Sequence, residues 1–203
     1  MTIWSVMRRL RTVMGNRDDL YQLSDMIEFD EGYFEKQLPE HTKSNLKRGR
    51  DGERQINVAV MLEYTPLEDL KSGKISNHCR FFKMKVLKSH MSAEIESLIK
   101  DSVEPKAIVF SEKSTSYFNI ENYKEAHIAE KSTKQTTIVI PKWVHIAISN
   151  AKIIFLGVYH KINGEHLQKY LDEFVYKLNR RNFKSIFERL VVASVYPYWQ
   201  TNE

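Results

Sequence analysis

The spacing of apolar and polar residues divides the chain into a strand-rich first half and a helical second half. Residues 2–14, "TIWSVMRRLRTVM", carry Ile3, Val6, Leu10 and Val13 at helical intervals, which predicts an amphipathic helix with Thr2 as its N-cap. Arg8, Arg9 and Arg11 fall on the remaining surface. Residues 27–35, "IEFDEGYFE", read as a strand, because aromatic and β-branched residues favour a pleated, half-buried surface. Two adjacent acids, Asp30 and Glu31, stand at its centre, where a buried charge is costly. Strand alternation sends them to opposite faces. Either one simply points to solvent, or Asp30 holds a metal ion.

A polar segment over residues 41–55, "HTKSNLKRGRDGERQ", has two glycines and few apolar residues and predicts a loop. "INVAVMLEY" (56–64) and "CRFFKMKVL" (79–87) read as strands joined through a turn containing Pro66 and Gly73. "SAEIESLIKDSV" (92–103) is a helix with Ser92 at its N-cap and Ile95, Leu98 and Ile99 facing inward, and Pro105 stops it. "KAIVFSEK" (106–113) is a short continuous apolar run, the pattern of a strand covered on both faces, and it ends in Glu112. A short strand, "AHIAEK" (126–131), precedes a helical half opened by Pro141, with helices over 142–157, 165–181 and 183–195. The order is mixed α/β, with about five strands.

Composition narrows the class. With 203 residues, 42% hydrophobic and 11% aromatic, the chain suits one globular domain and not a disordered segment. Lysine and arginine exceed the acids 31 to 26, a net charge of +5 that is compatible with a polyanionic partner such as DNA. Lys43, Lys47, Arg48, Arg50 and Arg54 in the polar segment, with Arg8, Arg9 and Arg11 in the first helix, are the cations available to neutralise phosphates. The single cysteine, Cys79, excludes an internal disulfide or a cysteine-based zinc site and suits the cytoplasm. No apolar run approaches a membrane span.

The acids then acquire a geometry. A sheet built as three strands, helix, strand can set the first and fourth strands side by side, which brings Asp30 and Glu112 together. Carboxylate oxygens suit Mg²⁺ or Mn²⁺, and two such ions can clamp the attacking and leaving oxygens of a phosphodiester. A third ligand would come from the helix beginning near Trp143. At about 100° per residue, His145, Ser149, Lys152 and Leu156 line one side of it, and Asn150 lies nearly opposite, among Trp143, Ile146, Ala147 and Ile154. His145 and Lys152 can therefore act together, whereas Asn150 and Lys152 do not share a face.

The wording of these segments is itself informative. "WVHIAISNAK", "FLGVYHKINGEHLQKYLDEFVYKLNRR" and "FERLVVASVYPYW", with "IEFDEGYFEK", "KRGRDGERQ" and "VFSEKSTSY" in the same order, resemble bacterial insertion-sequence transposases of the ISXO type. The resemblance implies a ribonuclease-H-like fold over residues 23–203, with residues 1–22 as the remnant of a helix-turn-helix DNA-binding region. It implies a DDE-type enzyme that cuts and joins DNA with Mg²⁺ or Mn²⁺, working as a homodimer. The first catalytic acid of the family falls on Asp30. The second is normally Asp, and here that position is Glu112, whose extra methylene moves the carboxylate. The third is acidic in some branches, which points to His145, and Asn in others, which points to Asn150; Lys152 would contact phosphate. An alternative is a truncated, catalytically silent remnant that binds DNA non-specifically, and a weaker one is a host nuclease of the same fold.

Overall fold

A computed structural model of the chain describes residues 2–37, 55–68, 75–88, 92–112, 126–130, 143–160 and 162–195. Helix α1 (Ile3–Asp19) starts as expected, with the Thr2 hydroxyl accepting from the Ser5 amide at 3.3 Å. It runs five residues beyond the predicted stretch, straight through Gly15. Glycine costs a helix interior roughly 1 kcal/mol, but here it allows close crossing. A Cβ at Gly15 would stand 2.6 Å from Oδ2 of Asp172 on a later helix.

Five strands form one sheet in the order β3-β2-β1-β4-β5. Strands β1 (Met26–Glu35), β2 (Gln55–Glu68) and β3 (Ile75–Val86) make an antiparallel meander. Strands β4 (Ile108–Glu112) and β5 (Ala126–Glu130) continue it in parallel with β1. Helix α2 (Ser92–Ser102) makes the crossover from β3 to β4. This arrangement is the ribonuclease-H-like one, and β1 and β4 are neighbours, as the order of elements allowed.

One expectation needs correction. Pro66 lies inside β2, opposite Asn77 of β3, and not in the connecting turn. Pairing with β1 ends at Tyr64, so among the described residues Pro66 sits where β2 has a strand neighbour on one side only. A proline's missing N–H is tolerated at such an open side.

The sheet separates two cores. On one face Leu23, Ile27, Phe29, Met61 and Val109 pack with Ile95 and Ile99 of α2. On the other, Phe34, Val58, Val60 and Leu62 pack beneath α3 (Trp143–Ile154) and α4 (Leu167–Asn179). Between α3 and α4 the chain takes a π-helical turn, Phe155–Tyr159, and a short 3₁₀ turn, Gly164–His166. Phe155 from the π turn is buried against Phe34, Tyr170 and Phe174. Helix α5 (Ile186–Val195) completes the described chain. Among the described residues no helix is long and apolar enough to cross a membrane.

Helix α1 docks on α4 through polar groups. Arg11 was expected on the exposed arginine face, yet its side chain is buried with Nε 2.7 Å from Oε2 of Glu173. Its guanidinium lies 4.0 Å from the centre of the Tyr170 ring. Further along the seam, Asp18 pairs with Arg180 at 2.6 Å and accepts from Asn179 at 3.1 Å. The apolar stripe contributes less than its spacing suggested, because Val13 is buried whereas Ile3 and Val6 remain exposed.

Candidate active site

Alternation along β1 decides what faces the helices. Phe29 and Ile27 point to the α2 side, while Asp30, Gly32 and Phe34 point toward α3. Asp30 pairs across the ladder with Val60 and retains about a fifth of its side-chain exposure (21%). One of its oxygens, Oδ1, accepts from the Glu31 amide at 2.8 Å. The other, Oδ2, lies 3.4 Å from Nδ1 of His145, which is 45% exposed at the start of α3. Asp30 and His145 are thus brought together from elements more than a hundred residues apart in sequence.

Glu31 faces the opposite side and accepts a hydrogen bond from Nδ2 of Asn57. The acid pair is split by the pleat, one carboxylate to each face of the sheet.

Glu112 is the last residue of β4. The β1–β4 pairing runs through Phe29 opposite Ser111, so the next residue on each strand is Asp30 and Glu112. In a parallel pair such positions stand side by side.

Gly32 explains how α3 can sit so close. A Cβ there would meet Cγ1 and Cγ2 of Ile148 at 3.2 Å, tighter than ordinary packing. Buried Val144, Ala147, Ile148 and Ala151 form the inward stripe of α3. His145 flanks this stripe on the side of Asp30. Lys152 follows two turns later on that flank, its ammonium 5.7 Å from the Phe34 ring centre. Asn150 is exposed, about 140° round the helix from His145. The structure therefore sets His145 beside Asp30 and leaves Asn150 on the other flank.

Sequence reasoning missed Glu28. It is buried, two residues before Asp30 on the same face, and its Oε2 accepts from the Val144 amide at 3.4 Å. A carboxylate at the first turn of a helix satisfies an orphan amide and favours the positive end of the dipole. Glu28 thereby pins the start of α3, one residue before His145. Its only signal in the sequence was the two-residue spacing from Asp30.

The expected phosphate-binding cations divide three ways. Arg9 is exposed, and Arg8 stacks on Trp4 at 5.8 Å from the ring centre. Arg11 is consumed by the Glu173 pair. Burial, the largest influence on Glu173, favours its protonated form, but hydrogen bonds from Lys177 and Arg11 outweigh it and hold the carboxyl below its ordinary range. Lys43, Lys47, Arg48, Arg50 and Arg54 lie outside the described residues.

The donor chemistry at Asp30 suits a divalent cation, since carboxylate oxygen and imidazole nitrogen are both established metal ligands. Among the described residues no three such donors are gathered at one point, and the backbone position of Glu112 is what would bring the next one.

A comparison with curated proteins finds no match. Two solved structures resemble the chain distantly. One is a pre-cleavage Mos1 transpososome, with a TM-score of 0.39 and 11% identity over 96% of this chain and 64% of that one. The other is the Mos1 mariner paired end complex with Mn, with a TM-score of 0.28 and 8% identity over 97% of this chain and 64% of that one. The chain thus spans under two thirds of the length of those proteins, and scores this low carry no argument about its chemistry. The family comparison is decisive: residues 22–179 match the ISXO2-like transposase domain, and the chain belongs to that family.

Proposed function

We propose that this chain is the catalytic domain of an insertion-sequence transposase, which cleaves DNA at the ends of its element and joins them to a target. The observation that carries the reading is the Asp30–His145 pair, 3.4 Å apart beside the end of β4, in a chain of this family. Asp30 and Glu112 would hold Mg²⁺ or Mn²⁺, with His145 as a nitrogen donor or as the group that orients Asp30. Such a cation, when bound, neutralises charge on the phosphodiester and supplies a nucleophile at neutral pH.

The chain's own groups do the rest. With Nδ1 facing Asp30 at 3.4 Å, His145 would turn Nε2 away from the carboxylate, where it could take a proton from an attacking hydroxyl. Lys152, on the same flank, neutralises a phosphate of the same strand. After hydrolysis the freed 3′-hydroxyl attacks target DNA by a second displacement, with no covalent enzyme intermediate. The partners would be element ends and target DNA in the cytoplasm, engaged by a homodimer.

The test is a nicking assay on supercoiled DNA carrying the element ends, with Mg²⁺ or Mn²⁺. Asp30→Ala abolishes nicking, and His145→Ala lowers it by about 10² or more, the scale of a lost acid–base group. Glu112→Asp raises the rate if the longer side chain is what limits the site. Nicking that survives Asp30→Ala unchanged would sink the proposal; a wild-type chain that binds DNA but never nicks would favour a catalytically silent protein.

A further inference from the structure

Beyond the Asp30–His145 pair, the same flank of α3 leads to a cavity of about 290 Å³. Phe34, Lys152, Phe155, Leu156, His160 and Ile162 line it, together with Glu35 and Gln55 at the strand ends. We infer that this cavity receives one unstacked nucleobase of the DNA strand whose phosphate is held by Lys152. The inference rests on the transposase reading and adds a subsite to it.

Four features lead to this occupant. The volume sits at the lower end of the range for small-molecule pockets, roughly 300 Å³ and upward, enough for one ring system and not for a dinucleotide. Its lining is largely apolar, with Phe34 and Phe155, ring centres 5.9 Å apart and both buried, beside exposed Leu156. An apolar lining accepts a base whatever its identity, because it reads no hydrogen-bonding edge. Its rim carries a cation, and Lys152 already lies over the Phe34 ring, where an incoming phosphate would draw it outward.

The fourth feature is placement. Seven residues of helix separate His145 from Lys152, about 10 Å along the axis. Four residues of strand separate Asp30 from Phe34, about 14 Å. At a rise of about 3.4 Å per nucleotide, the cavity lies roughly three to four nucleotides from a phosphate at Asp30.

The local backbone is built for the cavity. The π-helical turn sends Phe155 inward while Leu156 stays 68% exposed at the mouth. His160 ends the turn at φ 56° and ψ −53°, outside the regions an L-residue ordinarily occupies. Such conformations persist only where the surroundings hold them, and they concentrate at ligand sites. Gly157 faces open space, with nothing within 4 Å of a Cβ, so packing does not demand glycine there.

The test uses the full chain and a 15-nucleotide oligothymidylate with one central 5-iododeoxyuridine, irradiated in metal-free buffer so that no cleavage competes. Cross-linked peptides are mapped by mass spectrometry. The expected result is adducts at Phe34 or Phe155, lost by about tenfold or more in Leu156→Glu, which places a carboxylate at the mouth. Leu156 is exposed, so that variant keeps its circular dichroism. Lys152→Ala is the second variant, and it weakens binding of the oligonucleotide several-fold without moving the adduct site. Adducts only at other residues, or a Leu156→Glu protein that cross-links as well as wild type, overturn the cavity assignment. If either occurs while nicking still depends on Asp30, the subsite is wrong and the transposase reading stands. Failure of both nicking and oligonucleotide binding removes the two together.

Discussion

Arg11→Ala separates a structural arginine from a DNA-binding one. The wild-type side chain donates to Glu173 at 2.7 Å, with both side chains under a tenth exposed, and its guanidinium covers the Tyr170 ring at 4.0 Å. Removing one partner of a buried pair costs about 3–5 kcal/mol, because the other charge is left in a poor environment. Glu173 keeps Lys177 and the Tyr159 hydroxyl at 3.3 Å, which moves the cost to the low end of that range. Loss of the cation–π contact adds about 1 kcal/mol. The sum is about 3–4 kcal/mol, which for a chain of this size lowers Tm by roughly 6–16 °C. Urea titration followed by far-UV circular dichroism measures it, with Arg9→Ala as a comparison expected to stay within about 0.5 kcal/mol. DNA affinity measured against salt supplies the second axis. Each lost phosphate contact reduces the slope of log K by about 0.9, and Arg11→Ala should leave that slope unchanged. A variant with wild-type stability and a shallower salt slope would refute the docking argument. Arg11→Met combined with Glu173→Leu should recover most of the lost stability, since a well-packed apolar pair replaces a buried ionic one at little cost.

Two further predictions follow from the packing of the same elements. Burial pushes the Asp172 carboxyl up to about 6, against weaker opposing influences from Lys85 and the Gln168 hydrogen bond. The folded chain therefore keeps a proton that the unfolded chain releases between about pH 4 and 6. Stability falls as pH rises through that window, by about 2–3 kcal/mol, and then levels off. Asp172→Asn should flatten this component of the pH profile and stabilise the protein at pH 7, as read by urea midpoints from pH 4 to 8; an unchanged difference across the window would refute the burial argument. Gly32→Ala forces Ile148 away from β1, at about 1 kcal/mol of stability. It also shifts His145 relative to Asp30. Nicking should fall about tenfold to a hundredfold in a protein that still folds, and a rate equal to wild type would show that the close approach of α3 does not set the pair's geometry.

What could be read from the chain alone was local or periodic. The alternation in β1 separated Asp30 from Glu31, and the order of strands and helix allowed Glu112 to stand next to Asp30, which the parallel β1–β4 pairing then realised. Helical spacing put His145 and Lys152 on one flank of α3 and Asn150 away from both. None of that periodicity says which flank meets the sheet. The bare Gly32 under Ile148, and the Glu28 carboxylate at the first turn of α3, orient the helix so that His145 reaches Asp30.

The same limit governs the misreadings. Pro66 reads as a turn residue, yet it sits where β2 has an open side, and the helix predicted to end at Met14 continues through Gly15, which admits a close helix crossing. Arg11 looked identical to Arg8 and Arg9 until Glu173, 162 residues away, came to lie against it. Sequence alone determined the succession of strands and helices and the two candidate acids on them, since both follow from patterns within a few residues. Only the tertiary structure decided which polar groups are buried, paired or left for a ligand, because each of those depends on a partner that the chain supplies from elsewhere.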